Sequence, residues 1–254
     1  MIGVMHPPYT PETLPDLTEI FAPEVYVTES GYALQYRIYV PQDEGENAPY
    51  PVVLFLHGAG SVATDNKRQL DGCLRDIMAR CDGRMQKCIV IAPQCPLGSK
   101  WVNVKTWNNC SYSTEEIPES EELAAVMAVV EQVRATYPTD ESRYYVTGNS
   151  MGGFATWDAI TRHPDVFAAA VPICGGGDYR KAERIRHMPI WTSHGLLDPT
   201  VPPAGTIKMV QTLRELGAPH LRYTEFADRQ HNIWTPVYTD PELYTWLFAQ
   251  RRAK

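Results

Sequence analysis

The chain has 254 residues, 30 acidic against 23 basic side chains, a formal net charge of −7 and 44% hydrophobic residues. That length suits one large domain or two small ones and can bury a sizeable core. The negative balance, with no basic run, argues against nucleic acid or an anionic membrane as the main partner, and no apolar run reaches the roughly 18 residues that would span a bilayer.

The N-terminus, "MIGVMHPPYTPETLPDL", carries neither a basic n-region nor an apolar h-region. A cytoplasmic location is expected, or secretion if a leader has been removed. Residues 1–22 are Pro-rich and read as a surface arm, leaving 23–254 as a single catalytic domain. Val25–Thr28 and Ala33–Val40 read as two strands around an "ESG" turn, the second with Leu34, Tyr36, Ile38 and Val40 on one face. After the polar loop "QDEGENAP", "PVVLFLH" (51–57) is a continuous apolar run, as expected of a strand buried on both faces. A helix is predicted over about 66–80, a buried strand over 87–93 ("KCIVIAP") and a helix over 119–136, with acids near its start and Pro138 just past its end. The pattern continues with strand 143–147, helix 151–162, strands 167–173 and 189–194, helix 204–216, strand 220–226 and helix 240–250. Buried strands alternating with helices imply an α/β class, with a mostly parallel sheet, helices on both faces and two antiparallel lead-in strands. Ligands are then expected at the C-terminal ends of the strands.

Six cysteines are present and none forms a CxxC pair, so no metal or redox site is expected. Cys88 and Cys174 fall at strand positions and read as buried thiols. Cys95 and Cys110 share one loop that would admit a bridge. Asn109-Cys110-Ser111 is a formal glycosylation sequon, relevant only in a eukaryotic secretory pathway.

The chemistry centres on "GNSMGG" (148–153), between a predicted strand and a predicted helix. A serine hydroxyl is a weak nucleophile at neutral pH and needs a base within hydrogen-bond reach, itself oriented by an acid. Gly148-Asn149-Ser150-Met151-Gly152 fits G-x-S-x-G, in which the nucleophile occupies a cramped turn that excludes side chains two positions away. Among the histidines that follow Ser150, His231 alone lies in a polar loop beyond the last strand, in "DRQHNIW". Asp198, in "HGLLDPTVP", lies just beyond strand 189–194 and is the preferred acid. Asp178 in "CGGGD" is the runner-up, and Asp228 is too near His231 in the chain to orient it. Charge developing on a carbonyl oxygen needs two N–H donors. One is expected from Met151 at the helix N-terminus. The other is expected from Ala59 in "HGAG" (57–60), where Gly58 and Gly60 let the backbone approach.

The motifs "YPVVLFLHGAG", "IVIAPQCP", "RYYVTGNSMGGFATWDAITRHPDVFAAAVPICGGGD", "PIWTSHGLLDPTVP" and "HNIW" together resemble the α/β-hydrolase superfamily over roughly residues 24–250. Within it the chain is most similar to the group of feruloyl and acetyl xylan esterases and the related predicted peptidases and carboxylesterases. The resemblance implies Ser150, Asp198 and His231 as a triad, an oxyanion loop at HGAG, and no metal or organic cofactor. It does not transfer a substrate.

Two features bear on the substrate. The ten residues "YRKAERIRHM" between Asp178 and strand 189–194 leave no room for a cap domain. The long loop 94–118 at the predicted catalytic edge carries Trp101 and Trp107, which are expected either to hold an aryl acyl group or to pin the loop to the body. Gln94 is expected to offer a polar contact, and Trp234 to wall the pocket. An uncapped site suits an ester on a bulky carrier such as plant polysaccharide, so a feruloyl-type ester is the first expectation. An acetyl or short-chain ester is the second, and a peptide the third. The oligomeric state is left open.

Overall fold

Every residue of Tyr50–Leu56 is buried, and the reason is visible in its neighbours. In the computed structural model, which describes residues 9–43, 45–81, 83–108 and 112–252, this strand, β3, sits near the middle of an eight-stranded sheet. The other strands are β1 (Ala22–Val27), β2 (Ala33–Tyr39), β4 (Ile89–Pro93), β5 (Thr139–Asn149), β6 (Ala169–Ile173), β7 (Ile190–Gly195) and β8 (Leu221–Phe226). Their order is β1-β2-β4-β3-β5-β6-β7-β8. β1, β2 and β4 pair antiparallel, and the other pairings are all parallel.

The helices are α1 (Leu17–Ile20), α2 (Cys73–Arg80), α3 (Glu121–Thr136), α4 (Met151–Arg162), α5 (Ala204–Glu215), α6 (Trp234–Tyr238) and α7 (Pro241–Ala249). Side chains alternate across a strand, so β3 feeds two cores. Val52, Leu54 and Leu56 join the layer of α3, α4 and α5. Val53 and Phe55 join that of α2, α6 and α7. With both faces covered, an apolar residue is favoured at every position of the strand.

The chain winds from β3 outward to β4, then returns to place β5 on the other side of β3. Connections leaving the C-terminal ends of β3 and β5 therefore diverge, which opens a crevice between them. Leu56 is paired with Gly148, so the residues after each strand, His57–Ala59 and Ser150, emerge side by side.

Three local expectations differ. The helix over 66–80 is broken into a 3-10 turn, Arg68–Leu70, and α2. Gly72 between them takes φ +61°, ψ −115°, a conformation no helix can continue through. The short helices α1 and α6 lie in stretches read as arm and loop. Residues 9–21 are fastened to the body: Leu14, Leu17 and Phe21 are buried, and Arg37 donates to the Phe21 carbonyl at 2.8 Å. Asn109, Cys110 and Ser111 lie outside the described residues, and with them the sequon and the Cys95–Cys110 pairing. Among the described residues no helix is long and apolar enough to cross a membrane.

Candidate active site

Ser150 is positioned by a turn that few sequences can make. It stands between β5 and α4 with φ +57° and ψ −119°, well outside the ordinary regions for a residue with a side chain. The turn survives because the backbones around it are in near contact. A Cβ on Gly148 would lie 2.5 Å from the carbonyl oxygens of Leu56 and Gly152, and one on Gly152 would lie 1.8 Å from the Leu56 oxygen. The Ser150 N–H is held by the Ile173 carbonyl at 2.9 Å, which fixes the turn to β6.

His231 and Asp198 arrive from two stitched loops. The Leu197 N–H donates to the Arg229 carbonyl at 3.0 Å, and the Leu196 N–H to that of Phe226 at 3.0 Å, tying the loop after β7 to the loop after β8. The His231 carbonyl is anchored by the Ile233 N–H at 3.0 Å and the Cys174 thiol at 3.3 Å. The side chains then meet in line. His231 Nδ1 donates to Asp198 Oδ2 at 2.5 Å, and Ser150 Oγ lies 2.8 Å from His231 Nε2. An Nδ1 proton committed to the carboxylate leaves the Nε2 lone pair free to accept the serine hydroxyl.

Asp198 is buried and takes four donors. Besides His231, Oδ2 receives His194 Nε2 at 3.2 Å, and Oδ1 receives the N–H groups of Thr200 and Val201 at 2.8 and 2.9 Å. Burial by itself would raise its pKa. The donors from His194, Val201, His231 and Thr200 outweigh that and hold it at about 2. Asp198 therefore stays ionised throughout any pH range in which the protein would work.

Beyond Ser150 lies an open cleft of about 540 Å³, bordered by Phe55, Gly58, Ala59, Cys73, His231 and Trp234 among others. Ala59 is the first residue of a 3-10 turn (Ala59–Ser61) and Met151 is the first residue of α4. An N–H at the first position of a helix has no partner within that helix. Neither N–H is used within its own helix; Ala59 lines the cleft with Ser150, and Met151 follows Ser150 directly. The HGAG loop is braced from below. His57 Nδ1 donates to the Gly58 carbonyl at 2.7 Å and Nε2 accepts the Cys95 N–H at 3.0 Å. Burial lowers the His57 pKa to about 4, partly opposed by the bond to Gly58, so the ring is a neutral strut.

Other expected site residues lie elsewhere. Gln94 is buried and fully used: its amide accepts from Asn66 and donates to Asp65 and Gln69, each within 2.8 Å. Trp101 is completely buried, donating to the His57 carbonyl at 3.1 Å. Trp107 packs on Phe154 with ring centres 5.1 Å apart. None of the three borders the cleft, because the described parts of the loop after β4 are clamped against the body. Asp178, the runner-up acid, is one of the clamps and accepts from the Thr114 N–H and hydroxyl at 2.9 and 3.0 Å. Asp158 is another, accepting from Tyr112 at 2.8 Å and Arg162 at 2.7 Å. Asp228 points to solvent. Trp234 does border the cleft, edge-on to His231 at 5.4 Å. His194 is the residue that sequence reasoning passed over. The available signal was its spacing of four from Asp198 across the turn "HGLLD".

Between β6 and β7 the chain holds only a 3-10 segment, Tyr179–Ile185, and no cap. Residues 118–193 match the prolyl oligopeptidase family. Poly(3-hydroxyalkanoate) depolymerase C of Paucimonas lemoignei is 31% identical over 144 residues, covering 56% of this chain and 31% of that protein. The bifunctional acetylxylan esterase/xylanase XynS20E of Neocallimastix patriciarum is 24% identical, covering 87% of this chain and 29% of that one. Probable feruloyl esterase C of Aspergillus niger is 25% identical, covering 70% and 59%. The chain thus spans about a third of the length of the first two and somewhat over half of the third. Among solved structures, a thermostable esterase superposes with a TM-score of 0.81 at 37% identity, covering 92% of this chain and 64% of that one.

Proposed function

We propose that this chain, which belongs to the α/β-hydrolase superfamily, is a serine carboxylesterase. The observation that carries the reading is the continuous line from Ser150 Oγ through His231 to Asp198, opening on an uncapped cleft. His231 Nε2 takes the hydroxyl proton as Ser150 Oγ attacks the ester carbonyl. The oxygen that gains charge is received by the N–H groups of Ala59 and Met151, and Asp198 stabilises the imidazolium. Collapse of the tetrahedral intermediate breaks the bond to the alcohol, which leaves with the proton from His231. Water then repeats the sequence on the acyl-enzyme and releases the acid. None of these steps calls on a metal or organic cofactor.

For the acyl group we assign hydroxycinnamoyl esters carried on plant polysaccharide, with acetyl esters as the alternative. Support comes from the similarity to an acetylxylan esterase/xylanase and to a probable feruloyl esterase. It comes also from Trp234, the one tryptophan on the cleft wall among the described residues. A second reading, a serine peptidase, is favoured by the prolyl oligopeptidase match over residues 118–193.

Initial rates on methyl ferulate, p-nitrophenyl acetate and butyrate, and a peptide p-nitroanilide separate these readings. Ester hydrolysis with an inert anilide is expected, and a faster anilide would establish the peptidase. A kcat/KM for methyl ferulate far below that for acetate would remove the hydroxycinnamoyl assignment. Trp234→Ala is expected to lower kcat/KM on methyl ferulate about tenfold, the size of one lost aromatic contact, while changing the acetate rate less than threefold. Equal losses would make Trp234 a packing residue.

The oxyanion donor at Ala59 can be deleted without touching a side chain. Proline is well tolerated at the first position of a helix, and Gly58, at φ −75° and ψ 172°, already has the conformation a following proline requires. Ala59→Pro is expected to reduce kcat by about 10²–10³, with KM changed little and Tm held. A kcat within threefold of wild type would move the donor elsewhere.

A further inference from the structure

The far side of Asp198 carries a second histidine that the reaction, as described, does not use. His194 is the penultimate residue of β7 and has no exposed surface. Its Nε2 lies 2.9 Å from the Val201 carbonyl and 3.2 Å from Asp198 Oδ2. Both are acceptors only, the carboxylate being ionised, so Nε2 must carry a proton. Nδ1 lies 2.7 Å from Thr206 Oγ1. That hydroxyl is itself bonded to the Gly175 carbonyl, which can only accept. A threonine has one proton to give. With it directed to Gly175, Thr206 Oγ1 can only accept from the ring, and Nδ1 must carry a proton as well.

We infer that His194 is a buried imidazolium, both of its ring nitrogens facing acceptors, that positions Asp198 from behind, so that the carboxylate is held between two imidazoles, one charged at rest and one that gains its charge during turnover. A charge this deeply buried needs a partner and full hydrogen bonding. Asp198 is the partner, and Val201, Thr206 and Asp198 together occupy every ring N–H. The remaining titratable neighbour is Cys174, on the loop after β6. Its Sγ lies with the His194 and Asp198 ligand atoms inside 4.8 Å, and burial pushes its thiol up to about 12, so it stays neutral. A ring with both nitrogens protonated also has no lone pair for a metal, so this trio is an ion pair beside a thiol and not a metal centre.

Two consequences follow for the esterase reading, on which this inference builds. His194 fixes Oδ2, the oxygen that receives His231, so it aligns the base. It also places a positive charge behind the carboxylate, which opposes a second positive charge on His231. Removing it should let His231 take up a proton at higher pH, so activity should fail earlier on acidification.

The test has two arms. In the unmodified protein at pH 8, imidazole ¹H–¹⁵N correlation spectra should show one histidine with both ring nitrogens protonated, its signals absent from His194→Gln. A His194 ring with one unprotonated nitrogen overturns the assignment. This arm needs no substrate, so it stands or falls independently of the esterase reading, and the other histidine signals, unchanged in His194→Gln, show that the variant is folded. In the second arm, the acid-side midpoint of the kcat/KM–pH profile of His194→Gln should move up by about one pH unit, the order expected of a like charge a few ångströms away. KM at the plateau should stay within twofold. A midpoint that stays in place or moves down overturns the positioning role, since loosened packing alone lowers the plateau without moving the midpoint.

Discussion

Ser150→Ala is expected to lower kcat on every ester substrate by about 10⁴–10⁶-fold, the range for loss of an activated serine, while leaving the fold intact. Alanine keeps the Cβ, and so inherits the backbone conformation at φ +57°, ψ −119° unchanged. The only loss is the hydroxyl and its 2.8 Å bond to His231. Tm should therefore change by no more than a few degrees, and labelling by a fluorophosphonate should vanish. Ser150→Gly sharpens the argument. It removes the same hydroxyl but also relieves a Cβ in a region costing on the order of 1–3 kcal/mol. It should be equally inactive and yet more stable than Ser150→Ala. Equal stability would mean that the turn stores no strain, and hydrolysis retained by either variant would remove Ser150 from the reaction.

The second large effect comes from a residue with no functional group. In Gly152→Ala the new Cβ would sit 1.8 Å from the Leu56 oxygen and 2.6 Å from its carbonyl carbon. Both are backbone atoms of the central strand, so no rotamer change can relieve the clash. Either α4 or β3 must move. We expect a loss of about 4 kcal/mol or more, on the order of 10 °C in Tm for a domain this size. Any folded fraction should also be nearly inactive, because Leu56 leads directly into His57–Ala59. Gly60→Ala is the matched comparison, with nothing within 4 Å of its added Cβ, and it should keep the wild-type Tm. A Gly152→Ala protein with wild-type Tm would show that the strand and helix are free to part.

These two substitutions also explain what could be read from the sequence. "GNSMGG" is legible because the turn leaves physical traces in residue type: crowding at 148 and 152 excludes every side chain, and the periodicity on either side shows strand and helix. "HGAG" and "HGLLD" are legible for a related reason, since each follows an apolar run whose length and character mark a buried strand end. The eight strands follow from the same runs, although β5 extends to Thr139, four residues earlier than its apolar stretch suggests. What could not be read is where loops go. Gln94, Trp101 and Trp107 were expected near the site because their loop leaves the correct edge of the sheet. Its path is set by partners far along the chain: the His57 carbonyl lies 44 residues from Trp101, and Asp178 lies 64 from Thr114. No local pattern encodes such pairings. Helices α1 and α6, of four and five residues, are too short to show a period. His194 escaped attention because a histidine at a strand end looks like any other until the carboxylate folds back over it.

The clamped loop after β4 has a consequence for how the protein meets its substrate. Trp101 is fastened to the His57 carbonyl, and Tyr112 and Thr114 to Asp158 and Asp178; with only a 3-10 segment between β6 and β7, none of the described residues of either segment borders the cleft at Ser150. The cleft beside Ser150 is left open. On the esterase reading, an open cleft leaves discrimination between esters to how well it receives the acyl group, with the carrier of the ester outside it. A chain built this way would treat one ester on a small alcohol and the same ester on a long polymer as nearly the same chemical problem.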